Sequence, residues 1–244
     1  MSPLRAHPPI IAGRRGWCLS LALAAALAGC SRASRDASPA PEEGGAPATA
    51  GPAAMDKGVV LAVGTSLTAG YGLPDPDLAY PGLLEKRVEE AGLPYRVVNA
   101  GVSGETSAGA LRRMDWLLRQ KIDVLLLETG ANDALRGQDP EATRANIDAI
   151  LTRAAAQSPP PRLVVLGMKA PPNFGAAYGG RFDAIYPDMA RKHGAVLVPF
   201  VLEGVAGITR LNQADGIHPT EEGQRKIADL VWAAIAPLLK APAR

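Results

Sequence analysis

Gly58-Val59-Val60-Leu61-Ala62-Val63-Gly64-Thr65-Ser66-Leu67-Thr68-Ala69-Gly70 decides the architecture of this chain. Five consecutive large or medium apolar residues leave no polar face, so the run predicts a strand covered on both sides, as in a parallel sheet between helices. Glycine then closes the strand, and the polar, small residues that follow predict a tight turn into a helix. Further along, Arg96-Val97-Val98, Val124-Leu125-Leu126-Leu127, Leu163-Val164-Val165-Leu166 and Ala195-Val196-Leu197-Val198 repeat the apolar pattern. Five buried strands are expected.

Between these runs the apolar period changes from continuous to helical. Ile147, Ile150, Leu151 and Ala154 form one stripe, and Ile227, Leu230, Val231, Ala234, Ile235 and Leu238 form a longer one behind Pro219, read as a helix start. Alternating strand and helix implies a three-layer α/β/α domain with right-handed crossovers, in which ligands bind beyond the carboxyl ends of the strands. The folded domain is expected over residues 58–240, and 47% hydrophobic content is enough for one buried core.

Toward the amino terminus the composition changes twice. From Ser31 to about Met55 the chain is Ala, Pro, Gly, Ser and Glu with almost no large apolar side chain, so residues 30–57 read as a disordered tether. Ahead of it, Arg14-Arg15 precedes the apolar run Trp17–Leu27, which is shorter than the roughly 20 residues that span a bilayer and reads as an export signal over residues 1–29. The signal ends in Leu27-Ala28-Gly29-Cys30, which resembles the lipobox of bacterial lipoproteins and implies a lipidated Cys30 at the mature terminus. An ordinary signal peptide with an incidental cysteine is the alternative. Several acyl chains on one residue anchor firmly. With Ser31 rather than aspartate after the cysteine, the expected location is the periplasm-facing side of the outer membrane rather than the inner.

Charge and cysteine content exclude several classes. Lys and Arg number 26 against 24 Asp and Glu, and three of the arginines precede the cleavage site, so the mature chain is close to neutral and has no basic footprint for nucleic acid. Of two cysteines, Cys18 lies in the signal and Cys30 would carry lipid, which leaves no thiol for a disulfide or a metal. Two histidines in the mature domain, without metal-ligand spacing, argue against bound zinc. No phosphate-binding glycine motif occurs, so nucleotide binding has no motif behind it. His193, within Arg191-Lys192-His193-Gly194, reads as a solvated helix end without a role.

Four segments carry reactive residue types at positions that the alternation places on one rim of the sheet. After the first strand, Ser66 is a candidate nucleophile beside a helix amino terminus, and equally a candidate helix cap. After the second, Asn99-Ala100-Gly101-Val102-Ser103-Gly104-Glu105-Thr106 offers the Gly101 amide to an oxyanion, although a glycine required only by the turn explains it too. After the third, Asn132 in Thr129-Gly130-Ala131-Asn132-Asp133 can donate from a neutral carboxamide, while Asp133 suits loop orientation. Last, Asp215-Gly216-Ile217-His218-Pro219 sets a carboxylate three residues before a histidine, close enough to accept from Nδ1 and leave Nε2 as a base.

Taken in order, Ser66, Gly101, Asn132 and His218 resemble the four motif blocks of the SGNH hydrolases, also called GDSL esterases and lipases. The likeness covers roughly Lys57 to Lys240. Gly130–Gly137, Pro172-Asn173-Phe174-Gly175 and Asp215–Pro219 are similar to the bacterial arylesterase, acyl-CoA thioesterase and lysophospholipase branch. The resemblance implies a flavodoxin-like five-stranded parallel sheet, a Ser66-His218-Asp215 triad, an oxyanion hole from the Ser66 and Gly101 amides and the Asn132 side chain, and no cofactor. It implies a small-molecule ester or thioester substrate, and a monomer is expected. One departure stands out: Thr65 precedes the serine where the family usually has aspartate. Two rival readings are a carbohydrate deacetylase on the same scaffold and a lipid-anchored binding module without catalysis.

Overall fold

The computed structural model describes residues 57–241. The expected signal, tether and lipidated Cys30 lie outside the described residues, apart from Lys57. Five strands, β1 (Gly58–Gly64), β2 (Tyr95–Gly101), β3 (Val124–Glu128), β4 (Arg162–Leu166) and β5 (Val196–Val198), form one parallel sheet in the order β2-β1-β3-β4-β5. Val60 through Val63 and Val124 through Leu127 are almost wholly buried, as a strand covered on both faces must be.

The cover comes from two layers of helices. Helix α2 (Tyr80–Glu90) packs against α8 (Glu221–Lys240), while α3 (Ser107–Leu117) packs on α5 (Pro140–Ala155), which in turn contacts α6 (Gly175–Asp183) and α7 (Ile185–His193). In α5 the stripe read from the sequence is buried in full: Ile147, Ile150, Leu151 and Ala154 are each at most 1% exposed. In α8 the buried line is Ile227, Ala228, Val231, Ile235 and Leu239, with Leu230, Ala234 and Leu238 packed at its margins. The start of α8 lies later than Pro219 suggested. Thr220 caps the helix, its hydroxyl accepting from the Gly223 amide at 3.3 Å, because Pro219 is engaged in an antiparallel bridge with Asn212.

Two short helices matter most for the site. Helix α1 (Ser66–Ala69) follows β1 after a single residue, and α4 (Ala131–Leu135) follows β3 after two. Strand β1 lies between β2 and β3, so the crossovers leaving β1 and β2 diverge to opposite faces. This reversal opens a crevice at the carboxyl ends of β1 and β3. Both short helices begin there.

Candidate active site

Ser66 is the first residue of α1, with Thr65 at the cap position and no side-chain capping bond. Ser66 is therefore not the helix cap, and its hydroxyl is free for other partners. Its Oγ lies 2.9 Å from Nε2 of His218, 152 residues later. On the other edge of the imidazole, Nδ1 lies 2.6 Å from Oδ2 of Asp215. The second Asp215 oxygen accepts from the Ile217 amide at 2.9 Å and the His218 amide at 3.0 Å, so the carboxylate organises the loop that carries its own partner. The bond from the His218 ring, then those two backbone amides, hold the Asp215 carboxyl down at about 2, well below the ordinary carboxylate range.

The His218 loop is fastened at two further points that the sequence did not advertise. Gln213 donates through Nε2 to the carbonyls of Tyr71 and Pro219, and its amide donates to the His218 carbonyl at 2.7 Å. Tyr71 itself lays its ring against the imidazole, with centroids 4.5 Å apart. Neither residue belongs to a pattern of spacing, which is why they were not found.

The Asn132 carboxamide is held in a fixed orientation. One hydrogen of Nδ2 is donated to the Glu105 carbonyl at 2.9 Å, and Glu105 is fixed by an ion pair to Arg113 at 2.8 Å, which leaves the second hydrogen free. Beside it, Asp133 is fully buried and accepts from the Ser107 amide at 2.8 Å, the Ser107 hydroxyl at 2.5 Å and the Thr143 hydroxyl at 3.2 Å. It ties the starts of α3, α4 and α5 together. Loop orientation is the role that residue type suggested.

Gly101 does not occupy the place expected of it. Its amide donates to Oδ1 of Asn99 at 2.9 Å, and Asn99 Nδ2 donates onward to the Thr68 carbonyl at 2.8 Å. A Cβ on Gly101 would run into the backbone of α1, 2.7 Å from the Thr68 carbonyl carbon. This glycine is there so that β2 can approach α1, and its amide is consumed locally. It borders a separate depression with Asn99 and Glu85. Gly104 instead shares the cavity with Ser66, Asn132 and His218, and its amide has no protein acceptor among the described residues.

That cavity has a volume of about 350 Å3 and is walled mostly by apolar side chains, among them Leu67, Leu135, Met168, Leu202 and Ile217. Lys169 stands at its edge with Nζ 4.7 Å from the centre of the Phe200 ring. His193 is elsewhere, at the end of α7. It is less solvated than expected, with a side chain 11% exposed and Nε2 2.6 Å from Asp148 of α5.

Comparison with known proteins identifies the family. The pattern of the GDSL-like Lipase/Acylhydrolase family matches residues 62–226, from the core of β1 into α8. The chain belongs to that family. This acylhydrolase is 40% identical over 181 residues to Esterase TesA of Pseudomonas aeruginosa, covering 74% of this chain and 89% of the relative. It is 36% identical to the Thioesterase 1/protease 1/lysophospholipase L1 of Escherichia coli K12, again over 181 residues, 74% of this chain and 84% of that one. A crystal structure of TesA superposes with a TM-score of 0.70 at 39% identity, covering 74% of this chain and 99% of the other. The acylhydrolase is thus an SGNH-type enzyme that acts on ester bonds.

Proposed function

We propose that the enzyme cleaves carboxylic esters and thioesters through an acyl-enzyme on Ser66. The carrying observation is the unbroken line from Ser66 Oγ through the His218 ring to Asp215, at 2.9 and 2.6 Å, opening onto an apolar cavity. His218 Nε2 takes the serine proton as Oγ attacks the acyl carbon. Asp215 keeps the remaining ring proton on Nδ1 and balances the imidazolium charge. The proton then passes to the departing alcohol or thiol, and water attacks the acyl-serine by the same route in reverse.

Charge developing on the carbonyl oxygen falls among three donors: the Ser66 amide at the first position of α1, the Gly104 amide and the free Nδ2 hydrogen of Asn132. Gly104 replaces Gly101 in this set. An aliphatic cavity of this size favours an acyl chain or aryl group over a sugar ring, which supports aryl esters, short-to-medium acyl esters, acyl-CoA and lysophospholipids as substrates and disfavours a carbohydrate deacetylase. Labelling by a fluorophosphonate probe tests the assignment. Wild-type enzyme takes up the probe and Ser66→Ala does not; equal labelling of the two eliminates Ser66 as nucleophile, and no labelling of either leaves the non-catalytic reading standing.

The lipobox-like Leu27-Ala28-Gly29-Cys30 supports a second part of the proposal: export and acylation at Cys30, with the enzyme held on the periplasmic side of the outer membrane. Metabolic labelling with an alkynyl fatty acid should mark the wild-type chain and miss Cys30→Ser. Membrane fractionation of the two proteins then reads the location.

A further inference from the structure

One buried carboxyl directly beneath the nucleophile has no part in the chemistry above. Glu128, the last residue of β3, is fully buried, and no lysine, arginine or histidine is bonded to it among the described residues. Instead the Thr65 amide donates to Oε2 at 2.8 Å, the Thr65 hydroxyl lies 3.0 Å from both carboxyl oxygens, and the Thr68 hydroxyl donates to Oε2 at 2.9 Å. Burial holds the Glu128 carboxyl above the ordinary carboxylate range, and these donors from Thr65 and Thr68 offset only part of that rise. A carboxyl withdrawn from water opposes folding unless such partners compensate it.

All of these partners flank Ser66 in sequence. The Tyr80 hydroxyl, 2.8 Å from Thr68 Oγ1, extends the chain of bonds into α2. Gln224 of α8 completes the clamp: its Nε2 donates to the Leu67 carbonyl at 3.1 Å, and its Oε1 accepts from the Tyr80 amide at 2.9 Å. Residues 65, 67 and 68 are thus pinned from beneath and from the side, yet nothing in this network touches the Ser66 hydroxyl. The fit also explains Gly64, since a Cβ there would collide with Thr68 and sit 2.7 Å from Glu128 Oε2.

We propose that Glu128 is a positioning residue for ester hydrolysis: it gathers Thr65 and Thr68 onto the end of β3. The first turn of α1 then keeps Ser66 Oγ in line with His218 and the Ser66 amide aimed into the cavity. The inference rests on Ser66 being the nucleophile. It also gives Thr65 a purpose. A hydroxyl donates to an ionised carboxyl and accepts from a protonated one, so it serves Glu128 in either state. An aspartate at position 65 would set two carboxyls side by side and require them to share a proton.

Steady-state kinetics on p-nitrophenyl butyrate with Thr65→Ser, Thr65→Val and Glu128→Gln test this, with circular dichroism to confirm folding and Ser66→Ala as the reference. Thr65→Ser restores the hydroxyl and should stay within about 2-fold of wild type, whereas Thr65→Val should lower kcat by ~5–20-fold and Glu128→Gln by ~10–100-fold, both with KM little changed, as expected when a reacting atom is displaced by a fraction of an ångström. A Thr65→Val enzyme with wild-type kcat, or one whose loss is confined to KM, overturns the proposal. Should Glu128→Gln fail to fold, the Thr65→Ser and Thr65→Val pair decides alone. An active Ser66→Ala enzyme defeats the nucleophile assignment itself; an inactive one beside a normal Thr65→Val defeats only the role given to Glu128.

Discussion

Ser66 and His218, the pair proposed to carry the reaction, are held in opposite ways. Ser66 stands on a turn anchored to the centre of the sheet, with Thr65, Leu67 and Thr68 all buried. His218 rides on a loop at the surface, where Ala214, Asp215, Gly216 and Ile217 are exposed and the fastening is by the loop's own bonds and by Tyr71. One side owes its geometry to the core and the other to hydrogen bonds within its own loop and to contacts with Tyr71. Disturbing the serine side should therefore act through long-range packing. On the histidine side, effects should stay within the loop.

Removing the proposed nucleophile is the largest perturbation available. Ser66→Ala should lower kcat by ~10⁴–10⁶, and adding His218→Ala should cost little more, since the two act as a unit; single-turnover kinetics with an aryl ester would expose any additivity. On the loop side, Asp215→Asn should cost ~10³–10⁴ in kcat with thermal stability unchanged, because the carboxylate serves only the ring and its own turn. A fall in Tm alongside would show that the loop is tied to the core after all.

Between these sits Asn132, whose carboxamide is oriented by Glu105. Asn132→Ala should lower kcat by ~10²–10³ through one lost donor. Gly101→Ala separates the two glycines of its loop. Crowding against α1 should destabilise the fold by ~1–3 kcal/mol, read as a lower Tm, while kcat of the folded fraction changes only a few-fold. A loss as deep as that of Asn132→Ala would return Gly101 to the oxyanion site.

The smallest effect concerns acid. Asp215 is held at about 2, below its unfolded value, so its bond to His218 is present above the ordinary carboxylate range and is lost only as pH falls through that value. Asp215 therefore adds no ionisation of its own to the activity profile between pH 3 and neutrality. The acid limb of kcat/KM should have a slope of about one. A slope of two would mean that Asp215 titrates in that range.

Much of this layout was legible in the chain because strand ends are local events. An apolar run that stops at glycine shows where the sheet's rim lies, and Ser66, Asn132 and His218 each stand within a few residues of such a marker or of a helix start. Gly101 was misread for the opposite reason. Which glycine of a loop keeps a free amide depends on whether a neighbouring side chain folds back on it, and Asn99 does so only in three dimensions. Glu128 escaped notice because a charged residue closing an apolar run looks like the first residue of a loop, although here it is the last of β3 and wholly enclosed. Gln213 and Tyr71 meet 142 residues apart, a separation no spacing rule covers.

Strand β1 also has a practical bearing. It enters the sheet at Gly58 and delivers Ser66 just past its far end, roughly 20 Å away at the usual rise per residue. Whatever is joined ahead of Gly58, whether a natural leader, an affinity handle or a bead, attaches at the pole remote from the cavity mouth. Immobilising the domain directly ahead of Gly58 should leave the entrance facing outward, open to reactants arriving from solution.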